Sequence, residues 1–215
     1  MKKILITDAG SGLGRGTAIG LAQAGHQVLA TTQIWPQVTE LRHHVDELGL
    51  ADQITVDKLD VLDPRDIKAA VSWDFDTFVS NAAIGDSGPM AEIPVKLVRR
   101  TFETNVFSNL ELTQQVIRKF VDAGTAGRIV IVSSMGGFIT AYGLGAYCAS
   151  KHALEAIAAT LRDELAETGI TVQTINPGAY DTGFNDRIAH TTYRWQDDSV
   201  NFTRERTSRP TSPRS

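Results

Sequence analysis

Lys3-Ile4-Leu5-Ile6-Thr7-Asp8-Ala9-Gly10-Ser11-Gly12-Leu13-Gly14-Arg15-Gly16 joins a short apolar run to a glycine-rich turn. The run from Lys3 to Thr7 is apolar without alternation, the pattern of a strand buried on both faces of a parallel sheet. Ala18, Ile19, Leu21 and Ala22 follow at helical spacing, and Gly25 stands where a cap glycine ends a helix. A glycine-rich turn between a first strand and a first helix is an anion site. Its glycines let backbone approach a phosphate, while the helix N–H groups and dipole favour negative charge. The spacing is not G-x-G-x-x-G, because position 15 is Arg.

Outward from this turn, strands and helices alternate. Val28 to Thr31 predict a second strand, and Val38, Leu41, Val45 and Leu48 a helix stopped by Gly49. Ile54 to Val56 predict a third strand, and Pro64 suits the first position of the next helix. Phe75 to Ser80 predict a fourth strand. Residues 94–122 read as one long helix with Val98, Phe102, Val106, Leu110, Val116 and Phe120 apolar. Arg128 to Ser133 predict a fifth strand, residues 146–167 a helix, and Ile170 to Ile175 a sixth strand. Such βαβ units mean an α/β fold, a doubly wound parallel sheet in a single domain with right-handed crossovers. No repeat of 20–50 residues interrupts the pattern.

Composition narrows the class. The chain has 215 residues, a formal charge of −4 and a pI near 5.7, with no basic stripe for nucleic acid. No apolar stretch reaches the roughly 18 residues that a membrane-crossing helix needs, so no membrane partner is expected. One cysteine, Cys148, excludes an intrachain disulfide and fits a reducing, cytoplasmic compartment. From Thr203 to Ser215 there is no apolar side chain, so a disordered polar tail is expected over 203–215. His43 and His44 have no partner spacing for a metal, and none is expected. Trp35 and Trp73 read as packing residues.

The chemistry concentrates in Tyr147-Cys148-Ala149-Ser150-Lys151. Four residues apart on a helix, Tyr147 and Lys151 share a face. The cation is expected to favour the ionised phenol and draw its pKa from roughly 10 toward neutrality. A tyrosine so placed can exchange a proton during a reaction.

These residues and those around the turn resemble the short-chain dehydrogenase/reductase family, from about Lys3 to Asn185. The family turn T-G-x-x-x-G-x-G matches Thr7, Gly12 and Gly14, with Asp8 in place of its first glycine. Asp60-Val61 is similar to the family's adenine contact, and Ser80-Asn81-Ala82-Ala83 stands where the family has N-N-A-G. Asn105 matches the asparagine of the long helix. Ser134, 13 residues before Tyr147, matches the family serine, and Asn176-Pro177-Gly178-Ala179-Tyr180-Asp181-Thr182 matches the turn after strand six.

The resemblance implies a Rossmann-type strand order 3-2-1-4-5-6, with the seventh strand expected to be missing. It divides the chain into a dinucleotide-binding and catalytic domain (1–185), a partial substrate-lid segment (186–202) and the tail. It implies hydride transfer between a nicotinamide and a carbonyl or alcohol substrate, with Tyr147 as general acid or base and Lys151 lowering its pKa. Ser134 would hold the substrate oxygen and Asn105 a relay water. Cofactor contacts are expected from Thr7, Gly10, Ser11, Gly12, Leu13, Gly14, Thr32, Asp60, Val61, Asn81, Ala82, Tyr147, Lys151, Pro177, Gly178, Tyr180 and Thr182. Thr32 ends strand two where a carboxylate would select NAD, and Arg15 lies nearby, so NADP(H) is favoured over NAD(H). Tyr193 and Trp195 fall in the lid segment, as possible contacts to an apolar substrate. A homodimer is expected through the 94–122 and 146–167 helices. The rival expectation is a catalytically impaired dinucleotide-binding protein, suggested by Asp8 and by the lack of the family's closing elements.

Overall fold

The computed structural model describes residues 1–203; the expected tail, apart from Thr203, lies outside them. Six parallel strands form one sheet in the order β3-β2-β1-β4-β5-β6. They are β1 (Lys3–Ile6), β2 (Gln27–Thr32), β3 (Ile54–Lys58), β4 (Thr77–Ser80), β5 (Arg128–Val132) and β6 (Thr171–Ile175). The helices between them are α1 (Gly12–Gln23), α2 (Trp35–Glu47), α3 (Pro64–Val71), α4 (Val95–Phe102), α5 (Asn109–Asp122) and α6 (Gly145–Glu164). A short helix, α7 (Phe184–Ala189), follows β6. The expected architecture and strand order are those observed, with no seventh strand among the described residues.

Unbroken apolar strands work here because each face of the sheet has its own core. Leu5, Phe78, Ile129 and Ile131 point into the core with α3, α5 and α6, alongside Phe75, Leu112, Val116 and Phe120. Ile4, Ile6, Val79 and Val130 point the other way, against Ala18 and Ala22 of α1 and Val38, Leu41 and Val45 of α2. Alternate residues therefore bury on opposite faces. Asp63 caps α3 by accepting from the Arg65 N–H at 2.9 Å, with Pro64 first in the helix.

Two expectations change. Residues 94–122 are not one regular helix: Glu103–Ser108 winds as a π turn between α4 and α5. Apolar spacing reports a helix but not a change in its winding. Trp35 is 58 % exposed at the start of α2, so it is not a packing residue, whereas Trp73 packs partly against the core.

The reversal of strand order falls between β1 and β4, where open α/β sheets bind ligands at the carboxyl ends of the strands. The Asp8–Gly14 turn and Asn81 flank that crevice.

Candidate active site

At the switch point the two turns are sewn together. Thr7 is fully buried, and its hydroxyl accepts the N–H groups of Asn81 and Ala82 at 2.9 and 3.0 Å. The Asn81 amide donates to the carbonyls of Thr7 and Asp8, each at 3.0 Å. Thr7 was expected to touch the cofactor; it supports the turn instead. Asp8 takes φ 53°, the only non-glycine residue with positive φ among those described. Asp tolerates that conformation better than most side chains, which is how a carboxylate can stand where a glycine is expected.

Ser11, Gly12, Leu13 and Gly14 open onto one cavity, and the Ser11 side chain makes no capping bond to α1. The first N–H groups of that helix therefore face the cavity without an internal partner. Gly14 sits where a Cβ would lie 2.2 Å from the Asp8 carbonyl oxygen. Gly10 does not line the cavity; it packs against Thr32 and Gln37.

The same cavity holds Ser134, Tyr147 and Lys151, with Asn81, Pro177, Gly178, Tyr180 and Thr182. Ser134 follows β5 and is held by a Gly136 N–H donating to its Oγ at 3.0 Å. Lys151 is 2 % exposed, donates to the Val132 carbonyl at 2.9 Å, and lies with Nζ 5.6 Å from the Tyr147 ring centroid. Burial pushes Lys151 down to about 8, with Glu155 opposing the shift. Burial likewise pushes the Tyr147 phenol above its usual value, with the Ser134 hydroxyl opposing it. The expected lowering of Tyr147 is thus reversed, because loss of solvent outweighs a cation displaced toward a backbone carbonyl.

Asn105 lies in the π turn, fully buried, and does not line the cavity. Its side chain accepts from the Ile84 N–H at 2.8 Å and donates to the Ile84 carbonyl and Ser150 Oγ at 2.8 and 3.0 Å. It clamps the strand-four turn to α6. Asn109, which spacing did not single out, donates to the Ala82 carbonyl at 2.9 Å. Glu155 leaves no signal in the sequence, and Asn176, which opens the matched turn, takes a role that spacing does not show. Asn176 donates to Glu155 at 2.5 Å and to the Ser134 carbonyl at 3.2 Å, tying Ser134 to the helix that carries Lys151.

A second chamber continues past Asp8 and Ser11. It is lined by Gln33, Gln37, Asp60, Val61 and Ala82, with Arg187 and Arg194. Thr32, expected beside the ribose, is fully buried with its hydroxyl 3.3 Å from the Ile34 carbonyl, so Gln33 and Gln37 hold that rim. Arg15 lies 3.9 Å from Glu40. Phe184 and Arg187 of α7, both unread in the sequence, line the two chambers together, and Phe184 meets Tyr147 edge-on at 5.9 Å. Trp195 does not reach either chamber; it covers Gly88 and donates to the Ser87 carbonyl at 3.1 Å. No cluster suited to a metal exists among the described residues, and no described helix is long and apolar enough to cross a membrane.

Known proteins resemble this chain in sequence and in fold. YusZ, an uncharacterized oxidoreductase of Bacillus subtilis, is 35 % identical over 84 % of this chain and 66 % of its own length. The D-erythrulose reductase of Gallus gallus is 30 % identical over 82 % of this chain and 70 % of its own. The chain therefore spans about two thirds of the length of these relatives. An actinorhodin polyketide ketoreductase variant with NADPH superimposes with a TM-score of 0.81 at 29 % identity, over 91 % of this chain and 77 % of that one. A serine dehydrogenase complexed with NADP+ does so with a TM-score of 0.78 at 26 % identity, over 89 % and 78 %. A family model described as short chain dehydrogenase matches residues 2–192, from before β1 through α7. By fold, by the turn at the strand reversal and by this match, the chain belongs to the short-chain dehydrogenase family.

Proposed function

We propose that this protein is an NAD(P)-dependent oxidoreductase that reduces apolar ketones or aldehydes, with NADP(H) favoured. The observation that carries the reading is the opening of Ser134, Tyr147 and Lys151 into the cavity that also receives the uncapped start of α1. The exposed N–H groups of that helix and the glycine turn suit a diphosphate. Gln33 and Gln37 suit the adenosine end, and solved relatives that carry NADP(H) support the choice of cofactor. The reduced dinucleotide, when bound, would supply the hydride to the carbonyl carbon, and its oxidised form would accept a hydride in the reverse direction.

The residues of the chain manage the oxygen. Ser134 Oγ and Tyr147 Oη, from residues that line the same cavity, would together hold a carbonyl oxygen. Tyr147 gives its proton to that oxygen as negative charge develops. A phenol held above its usual pKa is protonated at neutral pH, which suits the acid of a reduction rather than the base of an oxidation. Charged Lys151 supports that transfer. With its pKa near 8, the charge is present below that pH and lost above it.

Apart from Asp8, Lys151 and Arg187, the cavity lining carries no charged side chain, and Met135, Ile139, Ala141, Leu144, Cys148 and Phe184 supply an apolar wall that suits an apolar substrate. A carboxylate or phosphate there would lose water without gaining a partner.

NADPH oxidation across ketones and aldehydes of increasing chain length, with ω-carboxylate analogues, tests the reading. Turnover should rise with apolar length, fall by about a hundredfold for the acids, and decline above about pH 8 as Lys151 discharges. NADPH should outperform NADH. Dinucleotide binding without turnover of any carbonyl would favour the rival reading, a binding protein without activity, to which the Asp8 carboxylate lends support.

The exposed small-residue face of α6 (Ala149, His152, Ala156) is proposed as part of a homodimer interface. A dimeric mass in solution at micromolar concentration is expected; a monomeric mass would refute it.

A further inference from the structure

We propose that Arg187 is a dinucleotide-binding residue whose charge offsets the carboxylate that this chain carries in its glycine turn; this rests on the dinucleotide reading above. The anomaly to be explained is Asp8. Asp8 lines both chambers of the cleft, beside the uncapped start of α1. A carboxylate there repels the diphosphate that those N–H groups would attract.

Most other cations near the cleft are engaged. Arg15 lies 3.9 Å from Glu40, Arg100 is 2.5 Å from Asp86, and Lys151 is held by the Val132 carbonyl at 2.9 Å. Arg194 lines only the chamber at the adenosine end. Arg187 alone among the arginines lines both chambers, as Asp8 does. Its attraction lowers the Asp8 carboxyl against the larger upward push of burial. Among the described residues no ion pair within 4.0 Å joins them, so the guanidinium is not consumed by Asp8.

The placement of Arg187 is built into the fold. Its N–H donates to the Gly183 carbonyl at 3.1 Å, and Gly183 turns the chain into α7 at φ 71°. The next residue, Ile188, is 3 % exposed and packs against Gly85, where an added Cβ would lie 2.5 Å from its Cδ1. The Ser87 hydroxyl donates to the Ile188 carbonyl at 2.6 Å. With the neighbouring residue anchored on the loop after β4, Arg187 is kept at the cleft. A guanidinium can donate to a diphosphate oxygen through a planar fork.

The test is a fluorescence titration of the full chain with NADPH at low and high salt. Arg187→Gln should raise Kd about tenfold, and Asp8→Asn should lower it by a similar factor. The two changes together should return Kd to within about threefold of the unmutated chain. Arg187→Lys, which keeps the charge and the packing of α7, should recover most of the loss. The salt dependence of Kd should be shallower in Arg187→Gln. An unchanged Kd in Arg187→Gln, a weaker one in Asp8→Asn, or an Arg187→Lys variant as poor as Arg187→Gln overturns the inference. Failure of the unmutated chain to bind NADPH or NADH overturns the dinucleotide reading itself, a separate result.

Discussion

Replacing Tyr147 by Phe should lower carbonyl turnover by about 10²–10⁴-fold while leaving NADPH affinity within about twofold. The substitution removes one hydroxyl and keeps the ring. That ring holds its place through contacts that do not involve oxygen: the edge-on meeting with Phe184 at 5.9 Å and the approach to Gly85. The lost oxygen belongs to a side chain that lines the cavity together with Ser134. Single-turnover NADPH oxidation, paired with a binding titration, separates the two effects. Residual turnover above about a tenth of the unmutated rate would remove Tyr147 as the acid.

The second large effect concerns folding and needs no cofactor. Gly14→Ala would place a Cβ 2.2 Å from the Asp8 carbonyl oxygen, 2.6 Å from Asn81 Nδ2 and 3.0 Å from Ala9 Cα. The Asn81 amide cannot swing aside without giving up its bonds to the Thr7 and Asp8 carbonyls. Relief must come from shifting α1 away from β1, and overpacking of this kind costs about 3 kcal/mol. For a domain of this size that lowers Tm by about 6–12 °C. Gly16→Ala is the control, since nothing lies within 4 Å of its added Cβ. In the same helix it should raise stability by up to about 1 kcal/mol through better helix propensity. Equal Tm values for the two variants would mean that the turn is looser than its contacts indicate.

Much of this molecule is legible in the sequence because burial leaves a periodic trace. Ile4, Leu5 and Ile6 declare a two-sided strand, and glycines after several helices punctuate the units, so a doubly wound parallel sheet follows from the βαβ rule, while the strand order comes from the family resemblance. Tyr147 and Lys151 fall on one helix and line one cavity, because a spacing of four on a helix survives translation into space, whereas Ser134, which follows β5, is reached only through the family resemblance. What spacing does not carry is which hydrogen bond a polar side chain makes. Thr7, Asn105 and Thr32 occupy the expected positions but spend their polar atoms on backbone or on Ser150. The sign of the Tyr147 shift was misread for the same reason, since sequence places a cation nearby but does not reveal how much water is lost. Arg187 leaves no pattern at all. Its meaning comes from Asp8, 179 positions earlier, which only the folded chain brings to the same cleft.

The π turn at Glu103–Ser108 bears on how this stretch can change in length. Thr101, Asn105 and Asn109, four residues apart, are all buried against the same side. In a regular α-helix each spacing of four rotates a side chain by about 40°, so Asn109 would stand about 80° away from Thr101. The wider winding keeps the three in line, which lets Asn105 reach Ile84 while Asn109 reaches Ala82. Substitutions in the outward positions leave that alignment intact. Deleting one residue between 103 and 108 would let the segment relax to an ordinary helix and turn one asparagine away from the strand-four turn. Among descendants of this sequence, the outward positions Glu103 and Phe107 are free to drift while the buried positions and the residue count are not.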